Sequence, residues 1–347
     1  MDPLRLTREL IDIESITGNE AAVGNFLLQQ LKQLGYRAEK MPVEGDRANV
    51  YATLDSAPDL VFSTHMDTVP PFLPSSEDKE NIYGRGSCDA KGIIAAQIAA
   101  AERLRHKTSK IGLLFLVGEE RDSQGAKEAN RRPPGSRFMI NGEPTENKIA
   151  RASKGTLRVQ LTATGRMAHS AYPHLGESAI EKLVKALHRL LQMPLPQNDE
   201  IGPTTMNIGL IEGGRAPNVI PDFARAELLY RLVGPTDDLR RQIQSAVESL
   251  ATADFKLEIP FIRLRTVNGI PEMIAAFTTD IPALTQWGEP LLLGPGSIHV
   301  AHTDREFIPK KELSEAVDLY VKIAGELLGL DHARGSPETP KLRSPEA

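Results

Sequence analysis

The chain holds a single cysteine, Cys88, among its 347 residues, so no disulfide can form within it. That fits a reducing compartment. It carries no surplus of basic charge: 41 Lys and Arg stand against 46 Asp and Glu, a net charge of −5. Nucleic-acid binders ordinarily show a basic patch or stripe, so that class of partner is set aside. No apolar run reaches bilayer-spanning length. The opening MDPLRLTRELIDIESITGNE lacks the basic stretch and apolar core of a secretory signal. The expectation is a cytoplasmic protein with neither membrane nor nucleic-acid partners. Internal repeats are absent, and a polar, Pro-containing tail at 334–347 is expected to be loose. Two catalytic signatures are missing as well. The GxSxG turn of serine hydrolases does not occur, and GRGSCDAKG (84–92) completes neither a P-loop nor GxGxxG.

What is present is a change of pattern along a chain long enough for two domains, since domains run to roughly 100–200 residues. Val23, Phe26, Leu27, Leu31 and Leu34 recur at helical spacing in 20–34, and 92–104 reads as a helix apolar on most faces. Around them lie short continuous apolar strands at 60–64, 111–117 and 138–141. Buried strands separated by helices indicate an α/β domain with a mostly parallel sheet and helices on both faces. After about residue 153 the strands alternate. Strands at 156–164, 206–211, 224–233 and 255–261 and helices at 178–192 and 236–251, the latter with Thr236 as N-cap, run in the order βαββαβ. That is the ferredoxin-like arrangement of an α+β domain. A buried strand at 290–294 and an amphipathic helix at 313–329 then return to the first sheet. The expected organisation is a discontinuous catalytic domain, 1–153 and 263–333, with 154–262 inserted.

Open α/β sheets bind ligands just beyond the carboxyl ends of their strands. There the sequence places His65 and Asp67, Glu119 and Glu120, Glu143, and a loop with His299 and His302; Asp89 precedes a helix. Two histidines and several carboxylates at one rim suit a borderline divalent cation such as zinc, and a shared carboxylate can bridge two such ions. Each element alone has a plainer reading. A lone histidine is more often a surface or satisfied core residue, and a Glu pair a solvated feature. Glu119–Glu120, however, directly follow a seven-residue apolar strand. Cys88 reads as a small packing residue rather than a nucleophile.

The strings STHMDTVP (63–70), GRGSCDAKG (84–92), VGEERDSQGA (117–126), NGEPT (141–145), GRMAHSAYP (165–173), GGRAPNVIP (213–221) and GPGSIHVAHTDREFI (294–308), in this order, resemble the di-zinc aminoacylase and carboxypeptidase family. Acetylornithine deacetylase and succinyl-diaminopimelate desuccinylase belong to it. The resemblance spans nearly the whole chain. It implies two divalent ions, zinc first, with cobalt or manganese as alternatives. His65, Asp89, Glu120, Glu143 and His302 would hold them, Asp89 as the bridge. Glu119 would be the general base and Asp67 the acid that orients His65. The inserted domain would serve as a lid and form a homodimer, sending His169 into the partner's site. Asn218 and Arg231 would hold substrate groups, Arg231 by a bidentate fork on a carboxylate. Helices of the inserted domain read as polar on their outer faces, leaving a sheet edge or one helix face for dimer contact. The resemblance also makes Asp89–Ala90 a candidate for a non-proline cis bond, a rare feature.

The activity implied is metal-dependent hydrolysis of a small N-acyl amino acid, of the deacetylase or desuccinylase kind. The same motifs serve a dipeptidase or carboxypeptidase acting on short peptides. A non-catalytic binding protein on this fold would have lost a ligand or the base, and all of these positions are kept.

Overall fold

The computed structural model describes residues 1–54 and 57–330. The tail expected at 334–347 lies outside the described residues. The chain divides into two compact units, 1–147 with 283–347, and 148–282. Residues 148–153 and 263–282 fall in the second unit because Ile149–Ser153 pairs antiparallel with Ile262–Arg263 and parallel with Glu272–Ala275.

The first unit is built on a six-stranded sheet, in the order Arg37–Glu44, Arg47–Thr53, Ile111–Leu116, Leu60–His65, Phe138–Asn141, Glu289–Leu292. The last four run parallel to one another. Leu60–His65, Ile111–Leu116 and Phe138–Asn141 are buried along their whole length, as continuous apolar runs require. The first two strands form an antiparallel hairpin that joins the sheet through Arg47–Thr53 against Ile111–Leu116. Sequence patterning does not announce this hairpin, because RAEKMPVE is mostly exposed and carries no period-two alternation. Helices Pro3–Ile11, Lys91–Leu104 and Lys310–Leu328 pack on one another, while Ala21–Gln33 and Gln124–Ala129 pack against the hairpin.

Register fixes where the strands end. His65 stands opposite Leu116, and Ser63 and Leu292 opposite Asn141. The turns that follow these strands therefore leave the sheet at one rim.

The second unit contains an antiparallel sheet in the order Thr205–Gly213, Phe223–Leu232, Gly155–Thr164, Thr252–Ile259, with helices Ala179–Gln192 and Asp237–Val247 packed against it. This is the ferredoxin-like topology. Leu157, Val159, Leu161, Leu183, Leu187, Leu228 and Ile243 form its core. Two local expectations change. Thr236 stands at the N-cap, its carbonyl accepting from Arg240 N–H at 2.8 Å, but its side chain makes no capping bond; the hydroxyl donates to Glu258 at 2.6 Å. Helix Ala179–Gln192 is polar outside at Glu181, Lys185, His188 and Arg189, but apolar residues are exposed beside them. Its apolar arc is wider than the face it buries, which leaves Val184 58% and Leu191 59% exposed, with Ile180 beside them at 38%. No helix among the described residues is long and apolar enough to cross a membrane.

Candidate metal centre

Strand Leu60–His65 ends on a buried His65, and the chain turns at once through the buried Met66 and Asp67. His65 Nδ1 lies 3.0 Å from the main-chain oxygen of Asp67. A carbonyl only accepts, so Nδ1 carries a proton, which leaves Nε2 as the nitrogen that a cation could take. Nε2 faces Asp89, 3.0 Å from Oδ1. The main chain of Asp67 thus contributes to the orienting role assigned to its side chain. The Asp67 carboxylate, 3.5 Å from His65 Nδ1, accepts from Thr17 Oγ1 at 2.8 Å and from the N–H groups of Glu119 and Glu120 at 3.1 and 3.2 Å. Burial alone would raise its pKa; contact with His65, Thr17 and Glu119 N–H outweighs burial and holds it below the ordinary carboxylate range.

Glu119 and Glu120 sit in the loop between strand Ile111–Leu116 and helix Gln124–Ala129, opened by Gly118 at φ 79°. Asn49 ties both loop ends together. Its Oδ1 accepts from Val117 N–H at 3.1 Å and its Nδ2 donates to the Gly125 carbonyl at 2.8 Å. A Cβ at Gly125 would stand 2.4 Å from both Asn49 Oδ1 and Val117 O, so glycine alone permits this closure.

Asp89 precedes helix Lys91–Leu104, and the Asp89–Ala90 peptide is cis, at the bond singled out from the sequence. Its two carboxylate oxygens serve different partners. Oδ1 meets His65, while Oδ2 lies 3.3 Å from His302 Nε2. His302 Nε2 is also 2.9 Å from Glu120 Oε2. His65, Asp89, His302 and Glu120 therefore form one continuous chain of contacts. Ligand atoms of His65, Asp89 and Glu120 all fall within 4.8 Å of one another. Glu143, buried just after strand Phe138–Asn141, adds its negative charge to the surroundings of His65. His299 is exposed, donates its backbone N–H to Ser297 Oγ, and is outside this chain of contacts.

The electrostatics are those of a cluster that favours positive charge. Burial disfavours a charged His65, but Asp67 and Asp89 outweigh it and lift its pKa well above the usual imidazole value. Hydrogen bonds to Asp89 and Glu120 push His302 up to about 10. Asp89 is itself buried, yet His302 and His65 pull it below the usual range. Burial and the nearby Asp89 charge raise Glu120. Imidazole nitrogens and carboxylate oxygens in this proportion fit a borderline divalent cation.

In the second unit, Ala168–His169 pairs with Val219–Ile220, and Ser170 N–H donates to the Asn218 carbonyl at 3.0 Å. The exposed His169 accepts from Ala171 N–H through Nδ1 at 3.1 Å. His169 and Asn218 are thus neighbours. Arg231 is not with them. Strand Phe223–Leu232 pairs Phe223 with Thr164 but Arg231 with Thr156, and eight residues of strand cover roughly 27 Å. The partly buried Arg231 donates to Thr156 Oγ1 at 2.9 Å, and burial lowers its pKa.

Four supporting residues escaped the sequence reading. Thr17 and Asn49 carry no motif signal. Arg85 and Glu306 stand inside the strings GRGSCDAKG and AHTDREF without drawing notice there.

Comparison with known proteins agrees with this geometry. Residues 61–155 match the profile of peptidase family M20/M25/M40, and 151–256 that of the peptidase dimerisation domain. A probable carboxypeptidase of Aspergillus clavatus is 37% identical over an alignment covering 92% of this chain and 81% of that protein. The chain belongs to the M20 peptidase family. A peptidase M20 domain-containing protein of Schizosaccharomyces pombe is likewise 37% identical, over 92% of this chain and 83% of that one. Among solved structures, a tripeptidase from Staphylococcus aureus superposes with a TM-score of 0.80 at 24% identity, covering 94% of this M20 chain and 98% of the tripeptidase. An M20 metallo-carboxypeptidase from Sulfolobus solfataricus gives 0.73 at 17% identity, covering 93% and 98%. The protein is a metallopeptidase-type hydrolase of the M20 fold, with a catalytic region and a peptidase dimerisation domain.

Proposed function

We propose that this chain is a metal-dependent carboxypeptidase or dipeptidase that cleaves a short peptide bearing a free terminal carboxylate. The observation that carries the reading is the division of Asp89, with Oδ1 toward His65 and Oδ2 toward His302 and, through it, Glu120. That is how a bridging carboxylate is placed between two cation sites. His65 and Glu143 would hold one ion, and His302 and Glu120 the other. Two such ions, zinc first and cobalt or manganese as alternatives, would polarise the scissile carbonyl and make water a competent nucleophile near neutral pH.

The chain's own residues supply the rest. The Glu119 backbone N–H is tied to Asp67, and its carboxylate would take a proton from water and return it to the departing amine. Arg231 takes the substrate carboxylate. Among the described residues its hydrogen-bond partner is the neutral Thr156, and no acid opposes its charge. The structural separation of Arg231 from His169 and Asn218 supports a dimer in which one copy supplies Arg231 and the other supplies His169 and Asn218, with His169 steadying the developing oxyanion. Domain 154–262 would then act as both dimerisation element and lid.

The N-acyl amino acid reading uses the same residues, because an acylated amino acid also ends in a free carboxylate. The carboxypeptidase names of relatives support peptide substrates over it. A panel of dipeptides, tripeptides, their C-terminal amides, acetyl-ornithine and succinyl-diaminopimelate, assayed after loading with zinc, cobalt or manganese, tests the order. Free-acid peptides are expected to be cleaved well ahead of their amides. Turnover confined to the acylated amino acids would overturn the peptidase reading.

A further inference from the structure

The loop carrying Asp89 and the loop carrying His302 are locked together by a second buried carboxylate. Glu306 is 1% exposed. Its Oε1 accepts from the N–H groups of Cys88 and Asp89, both at 3.2 Å, and Gly86 N–H adds to them. Its Oε2 pairs with Arg85 Nη1 at 2.7 Å. Arg85 is also 1% exposed, and the same nitrogen donates to the Thr303 carbonyl at 3.1 Å. Backbone pairing continues the contact, with Gly84 N–H donating to the Glu306 carbonyl at 3.1 Å. One ion pair therefore ties both ends of 84–89 to 303–306. Gly296 packs against the same place, where an added Cβ would come within 2.5 Å of Cys88 Cβ, so the two loops have no slack.

This arrangement exceeds what stability asks. Buried ion pairs recover their desolvation cost only with good geometry and further hydrogen bonds, and apolar replacements often serve as well. Glu306 spends its remaining lone pairs on the backbone of Asp89 itself. The pair is thus placed for geometry at the bridging position.

We propose that Glu306, held by Arg85, is the positioning residue of the metal centre, setting the Asp89 carboxylate at the spacing that lets its two oxygens serve His65 and His302 together. The proposal rests on the two-cation reading of that centre. Glu306 touches neither substrate nor the reacting atoms.

The test is cobalt binding to the chelator-stripped full chain, read by the visible absorption of the bound ion and by calorimetry. Wild type is expected to take up Co(II) at the centre; no uptake would overturn the two-cation reading itself. Glu306→Ala is expected to bind Co(II) about 10–100-fold more weakly, the range seen for residues that orient metal ligands. Glu306→Gln keeps an acceptor for the Asp89 N–H and is expected to recover part of that loss. A merely structural role would lower the melting temperature of the stripped protein and leave the affinity and spectrum of the folded fraction unchanged. Should Glu306→Ala fail to fold, the paired Arg85→Met/Glu306→Gln variant leaves no lone buried charge and keeps the question open to measurement. Wild-type affinity and spectrum in a folded variant lacking the Glu306 charge, whether single or paired, overturn the positioning role.

Discussion

The carboxylate of Asp67 accepts the backbone N–H of Glu119 at 3.1 Å, and its second oxygen accepts that of Glu120 at 3.2 Å. The residue two places beyond His65 thus sets the height of the loop that bears the proposed base and a proposed ligand. Asp67→Ala strands both N–H groups and loosens the loop. Turnover is expected to fall about 10–100-fold with metal content preserved in part. Asp67→Asn, which retains one accepting oxygen, should fall less. Activity of Asp67→Ala within twofold of wild type would remove Asp67 from the positioning of this loop.

Glu119→Gln separates proton transfer from metal binding. The amide keeps the size and the backbone hydrogen bond to Asp67, but it cannot take a proton. General-base removal typically costs about 10²–10⁴-fold in rate. Metal content by elemental analysis should match wild type while kcat falls by that order. Wild-type turnover would sink the assignment of the base.

Much of this site is legible in the sequence because chemistry and topology coincide there. Strands Leu60–His65 and Ile111–Leu116 are continuous apolar runs, so the polar residues that end them stand out against their neighbours. The helix before which Asp89 sits is apolar enough to fix its start. What stays hidden is the scaffolding made from main chain and from residues distant in sequence. Thr17 reaches Asp67 across 50 positions, and Arg85 reaches Glu306 across 221. No periodicity encodes such pairs. The hairpin Arg37–Thr53 is hidden for another reason: its outer strand is largely exposed and polar, so burial leaves no pattern on it. Helix Ala179–Gln192 misleads in the opposite sense. Its apolar residues suggest one buried face, but Val184 and Leu191 lie on the open side.

Metal binding should be proton-linked. In the metal-free protein, hydrogen bonds to Asp89 and Glu120 hold His302 at about 10, and His65 is also raised by Asp67 and Asp89 against the effect of burial. Both imidazoles are therefore largely protonated at pH 7, whereas a ligand must offer a neutral nitrogen. Each ion that enters displaces protons, so affinity rises with pH until His302 has titrated. Calorimetric titration with zinc at pH 7, in buffers of different ionisation enthalpy, should give about one or more protons released per ion. Equal heats in all buffers would contradict this account.

Arg231 should report on the substrate's carboxylate. Arg231→Met keeps the length of the side chain and removes the charge. KM for a free-acid dipeptide is expected to rise by about tenfold or more, in line with a lost charge-assisted hydrogen bond of roughly 1.5–3 kcal/mol. Cleavage of the corresponding C-terminal amide should be unaffected. An equal loss on both substrates would place Arg231 in the scaffold of the strand rather than at the substrate.

The open side of helix Ala179–Gln192 is where two copies are expected to meet. Ile180, Val184 and Leu191 lie along it, and the outermost strand Thr205–Gly213 exposes Leu210 and Ile211 at 63% and 62%. Among the described residues this strand is the edge of its sheet, and an open edge with exposed apolar side chains is a template for pairing with another chain. Val184→Glu with Leu191→Glu replaces side chains that are already exposed, so the fold should survive with little change in melting temperature. Wild type is expected to run as a dimer in light scattering at micromolar concentration, and the double variant as a monomer. The monomer then decides the role of His169. If His169 serves the partner's site, the monomer loses turnover although its metal content is intact, and His169→Ala in the dimer shows a comparable loss. A monomer with full activity would confine the whole reaction to one chain.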